Sequence, residues 1–175
     1  MPRDRVEWED MSQELRDTAL REAAARDAAA EVIKEQLPGA ATVLHALYRM
    51  KPDEVGVLLS VMSKRLKEEV DGGWEPQALD PAAYKNILDD FIEQGAEFVD
   101  RSSGDRIPWE PRSEEYKQFL KQFAYFLDAS ILGWMTAVGI SHREAAAMLV
   151  KQTRTSAENL ILKASLQSSD GNDLP

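Results

Sequence analysis

The chain has 175 residues, 43% of them hydrophobic, a net charge of −10 and no cysteine. Its length and apolar content suit one domain with a sizeable core and do not fit a compositionally disordered chain. Without cysteine there are no disulfides, thiolate nucleophiles or cysteine-ligated zinc or iron–sulfur sites. The opening MPRDRVEWED is charged and lacks an apolar h-region, so it does not read as a secretory signal. With the missing cysteines, this fits a cytoplasmic protein. The charge is unevenly spread: residues 68–115 hold 14 acidic and 4 basic side chains, and the negative excess lies there. Such a segment repels phosphate backbones and attracts basic partners, although a charged helical face also serves solubility.

Strand signals are nearly absent, whereas helical periodicity and helix punctuation recur. Residues 1–11 read as a flexible N-terminal segment. A first helix is predicted from Ser12 to Gln36, rich in good helix formers, with a thin apolar side of Met11, Leu15, Ala19, Ala23, Ala30 and Ile33. Pro38-Gly39 should end it, because proline lacks the amide proton that the ladder needs. A short helix over 40–50 follows, with Val43, Leu44, Leu47 and Tyr48 on one side.

Lys51-Pro52-Asp53-Glu54 opens the next helix, since proline suits the first turn and acidic residues favour the positive end of the helix dipole. Val55, Leu58, Leu59, Met62, Leu66 and Val70 form a clean amphipathic stripe, and Asp71-Gly72-Gly73 stops it. Residues 72–80 are a connector ending in Asp80-Pro81, an N-cap and first-turn pair. The helix it starts carries Tyr84, Ile87, Leu88, Phe91, Ile92 and Phe98 on its buried side. Residues 99–112 are read as a long loop, extended or folded into a small hairpin pairing 98–101 with 106–109.

Ser113-Glu114-Glu115 starts the most apolar stretch, Phe119 to Ile140, with a bend expected at Gly133 and an end near Gly139. Ser141 and Glu144 have the spacing of a capping box for a last helix over 142–166. Its apolar side is assigned to Ala145, Met148, Leu149, Leu160, Ile161 and Ala164. Residues 167–175 read as a disordered tail. The predicted architecture is thus all-α: a single-domain bundle of about six helices over 12–166, with one long loop.

The apolar stretch is a core helix, a partner-binding helix or a membrane span. A span needs about 20 predominantly apolar residues, and a central Asp costs about 2.5–3.5 kcal/mol on insertion scales. Asp128 and the absence of a flanking basic cluster therefore speak against the membrane. Asp128 in such surroundings needs a partner from a neighbouring helix, or its pKa rises. Phe119, Phe123, Phe126, Trp134 and Met135, with Trp109 taken as exposed in the loop, are the candidate partner-binding residues.

No catalytic, cofactor-binding or metal site is predicted. The two histidines, His45 and His142, lack the one-face helical spacing with glutamate or histidine that metal sites use. There is no Gly-x-Ser-x-Gly elbow and no P-loop ending after Gly72-Gly73. The expectation is a non-enzymatic adaptor or assembly protein that binds another protein or itself through an apolar helix. Two alternatives stand beside it. Residues 139–166 have the layout of a degenerate helix-turn-helix with a polar break at 151–155, although Glu144 and Glu158 offset its basic residues. Asp89, Asp90, Glu93 and Glu97 could instead imitate a phosphate backbone and occupy a basic site on another protein.

Overall fold

The computed structural model describes residues 8–101, 109–110 and 112–170. The fold is all-helical, a compact arrangement of a 3-10 turn at Trp8–Asp10 and five helices: α1 Gln13–Tyr48, α2 Pro52–Asp71, α3 Pro81–Arg101, α4 Glu114–Ala137 and α5 His142–Asp170. The predicted capping signals hold where local chemistry dictates them. The hydroxyls of Ser12, Ser113 and Ser141 accept the amides of Leu15, Tyr116 and Glu144, and Asp80 accepts that of Ala82. Glu54 takes the amide of Lys51 at 2.7 Å. Glu144 departs from the expected box, since its carboxylate pairs with Arg26 of α1 at 2.5 Å.

The number of helices differs from expectation at one place. α1 does not stop at Pro38-Gly39 but runs through them. Both residues are exposed, so water can serve the carbonyl that proline leaves without a partner. On the other side of the helix, Ala29, Ile33, Leu37, Ala40, Leu44 and Tyr48 are all buried. Their spacing keeps the helical period across the proline, and packing that unbroken stripe outweighs the local break. α1 ends instead at Arg49, in the left-handed region at φ 52°.

α4 is the centre of the bundle and touches each of the other four helices. The helix runs through Gly133 without interruption. A Cβ there would stand 2.9 Å from the Ala78 Cα, so the glycine lets the backbone of the 72–80 connector lie against the helix. Gly139, at φ 103°, makes the turn into α5.

α2 and α5 form the closest helix pair and run antiparallel. At one end Gly56 faces Ala157, and a Cβ on Gly56 would be 2.8 Å from the Ala157 Cα. At the other end Arg143 pairs with Asp71 at 3.4 Å. Small side chains set this approach: Gly56 on α2 meets Ala157 on α5, whose buried residues are Ala145, Ala146, Leu149, Thr153 and Ala157. The Thr153 hydroxyl is satisfied within its own helix by Leu149 and Val150 carbonyls. α5 is continuous, with no turn at 151–155, and it extends past Leu166 to Asp170.

α3 is laid on the outside. Gly95 is its only fully buried residue, while Tyr84, Ile87, Leu88, Phe91, Ile92 and Phe98 are half-buried. Residues 98–101 are helical, which removes one strand of the predicted hairpin; its other strand, 106–109, lies largely outside the described residues. Residues 1–7 and 171–175 also lie outside them.

Candidate functional site

The aromatic residues singled out by the sequence come together, but chiefly inside this chain. Phe119, Phe123 and Met135 are buried, Phe123 and Met135 at 0% exposure. Phe91 of α3 lies 5.8, 5.2 and 5.4 Å from the rings of Phe119, Phe123 and Phe126. Tyr84 stacks on Phe126 at 5.4 Å and meets Trp134 edge-on at 4.8 Å. Phe98 closes the row against Tyr116 and Phe119. Offset and edge-to-face pairs of this kind add about 0.5–1.5 kcal/mol each beyond their area. The helix that covers the aromatic face of α4 is therefore α3 of the same chain. Phe126 and Trp134 retain partial exposure, and Trp109, expected to be exposed, is half-buried against the core.

Tyr48 ties the two sides of this layer. Its ring meets Phe119 and Phe123 edge-on, and its hydroxyl donates to the Phe91 carbonyl at 2.8 Å. Burial pushes the Tyr48 and Tyr84 hydroxyls above the ordinary phenol range. Tyr116 donates to the Tyr48 carbonyl at 3.2 Å, and the Arg112 guanidinium lies 4.8 Å over the Tyr116 ring.

Asp128 has the partner that its surroundings demand. It is fully buried, and its Oδ2 is 2.9 Å from the Ser63 hydroxyl of α2. Its Oδ1 has no hydrogen-bond partner. Desolvation drives its pKa well above the usual carboxylate range, and the Ser63 contact offsets this only in part.

Surface that the sequence did not single out lies at the helix ends. Beyond Leu160, which reaches Gly56, α5 buries no side chain through Gln167. Ile161, Leu162 and Leu166 stand at 46, 57 and 58% exposure. Leu160, Ile161 and Leu162 follow one another, so they point to different sides of the helix. That consecutive run was the available signal; assigning Leu160 and Ile161 to a core stripe concealed it. α1 behaves similarly at its start, where Leu15 and Leu20 are exposed and no residue before Ala29 is fully buried.

Charged and polar candidates are mostly committed. His45 contacts the Met50 carbonyl at 2.7 Å and His142 that of Pro76 at 3.2 Å. Arg154 bonds Glu158 at 2.9 Å. Asp89, Asp90, Glu93 and Glu97 are all exposed on the outer side of α3. Among the described residues there is no cluster of three or more His, Cys, Asp or Glu that could hold a metal ion, and no helix long and apolar enough to cross a membrane. Comparison with protein-family models, with curated proteins and with solved structures finds no match to this chain.

Proposed function

We propose that this protein is a non-enzymatic assembly protein that associates with a second copy of itself through the apolar end of α5. The observation that carries the reading is the exposure of Ile161, Leu162 and Leu166 on a helix that continues past its last buried contact. Exposed apolar side chains gathered on one helix end are ordinarily covered by a partner, and none of the described residues buries these three. The α1 segment bearing Leu15 and Leu20 adds more apolar surface of the same kind. Phe119, Phe123 and Met135 do not serve this role, because the bundle itself consumes them. The test is the absolute mass by light scattering across a dilution series without detergent. A concentration-dependent dimer or larger species supports self-association, and a monomer at every concentration refutes it.

A second reading is favoured by the outer face of α3. Four exposed carboxylates, Asp89, Asp90, Glu93 and Glu97, make that face suited to a basic protein surface. Reversing all four to lysine should abolish capture by such a partner without unfolding the chain; unchanged capture would dispose of the idea. The DNA-reading alternative over 139–166 has less support, since α5 has no turn there and Arg143 and Arg154 are engaged by Asp71 and Glu158.

A further inference from the structure

Ser63 Oγ lies 2.8 Å from the Leu59 carbonyl of its own helix and 2.9 Å from Asp128 Oδ2 on α4. A hydroxyl has one hydrogen to give, and a carbonyl can only accept. If the Ser63 hydrogen goes to Leu59, the contact with Asp128 needs a hydrogen from the carboxyl. The other arrangement has an Asp128 carboxylate accepting that single hydrogen. It would leave a full charge in the core facing one neutral hydroxyl, with Oδ1 bare.

Among the described residues no cationic side chain is paired with Asp128; burial and the Ser63 contact are what act on it. On α2, Arg65 pairs with Glu69, and Glu69 takes the hydroxyl of Tyr125 on α4. From α1, the only ionisable group among the buried side chains is Tyr48, whose hydroxyl is given to Phe91. From α5, the buried side chains are alanines, Leu149 and Thr153. α3 meets α4 through Phe119, Phe123, Phe126 and Trp134. Tyr125, whose hydroxyl feels the charge of Asp128, is itself an acid.

We propose that Asp128 folds as the neutral acid, donating from Oδ2 to Ser63, and that this contact is a clasp between α2 and α4 that opens when the proton is lost. Oδ1 is then the carbonyl oxygen of an uncharged acid, a far smaller burden than a bare carboxylate. Folding consequently takes up one proton. The unfolded chain releases it at the ordinary Asp value of about 3.9, whereas the folded chain holds it to higher pH. The contribution is complete below the unfolded value and is lost as pH rises to the folded one. Within that window the folded-to-unfolded ratio falls about tenfold per pH unit from this group.

The test compares denaturant unfolding of the intact chain with that of Asp128→Asn from pH 5 to 9. Asparagine stays neutral and can donate its amide to Ser63. Contributions from the other titrating groups are common to both proteins and cancel in the difference. The wild type should lose stability relative to the variant as pH rises, by up to tenfold per pH unit; a difference that does not change with pH overturns the proposal. Should Asp128→Asn fail to fold, carbon-13 NMR of aspartate-labelled wild type decides. One carboxyl resonance that keeps its neutral-acid shift after the other aspartates have ionised supports the proposal, and ionisation of all aspartates together refutes it.

Discussion

Tyr48 rests on the bare Cα of Gly95: a Cβ at Gly95 would stand 1.8 Å from Tyr48 Cε1 and 2.6 Å from its hydroxyl oxygen. The ring cannot swing away, because Phe119 and Phe123 bracket it in the core. This contact, with the bond from Tyr48 to the Phe91 carbonyl, seats an otherwise lightly buried helix. Gly95→Ala should therefore push α3 outward and cost about 1–3 kcal/mol, the usual penalty of overpacking. Urea unfolding measures the loss, and hydrogen exchange should show faster opening of α3 than of α2. A stability equal to wild type would mean that α3 adjusts freely and that Tyr48 is not its seat.

Phe123→Ala separates a core role from an interface role. Phe123 has no exposure and packs on Tyr48 and Phe91. Its truncation should cost about 3–5 kcal/mol and leave a cavity. Denaturant unfolding is the measurement. A fold of unchanged stability that had lost only its association would return Phe123 to an interface.

At the α2–α5 crossing, Gly56→Ala should destabilise although alanine is the better helix former by about 1 kcal/mol. The nearest atom to the new methyl is the main chain of Ala157, at 2.8 Å, so the helices must separate. A net loss of about 1–2 kcal/mol is expected. Ala157→Gly should not rescue it, since the clash is with the Cα rather than with the methyl. Thermal unfolding of the single and double variants checks both statements.

Leu162→Glu combined with Leu166→Glu tests the proposed assembly surface. Both side chains are more than half exposed, so monomer stability should change by no more than about 0.5 kcal/mol per substitution. The mass measured by light scattering should fall to that of one chain. An oligomer that survives the double substitution would place the interface elsewhere, with the exposed start of α1 and its Leu15 and Leu20 as the next surface to alter.

Part of the candidate surface was legible in the residues, and part was not. The stripe of Val55, Leu58, Leu59, Met62, Leu66 and Val70 is buried as its spacing predicts, and each N-capping serine acts within one turn. The apolar character of Phe119 to Ile140 was equally plain. Its covering was not, because an apolar face has the same sequence whether the lid is another chain or the same one. α3 proved to be the lid, which buries Phe119 and Phe123 inside this chain, while Ile161, Leu162 and Leu166 at the end of α5 stay exposed among the described residues.

What the sequence determined by itself is what depends on neighbours within about four residues: helix content, caps, the amphipathic stripes and the need of Asp128 for a partner. What only the tertiary structure decided involves residues far apart in the chain. Helix α1 passes through Pro38 because its buried stripe from Ala29 to Tyr48 packs without a break, and the exposed side of the helix leaves the lost hydrogen bond to water. Gly56 and Gly95 are required by Ala157 and Tyr48, contacts that no local pattern announces. The partner of Asp128 is Ser63, 65 residues away. Local propensity is a matter of tenths to about one kcal/mol for most residues and about 3 kcal/mol for a proline inside a helix, while burying each large side chain contributes about 1.5–3 kcal/mol, so a stripe of several buried side chains overrules the local signal where the two disagree.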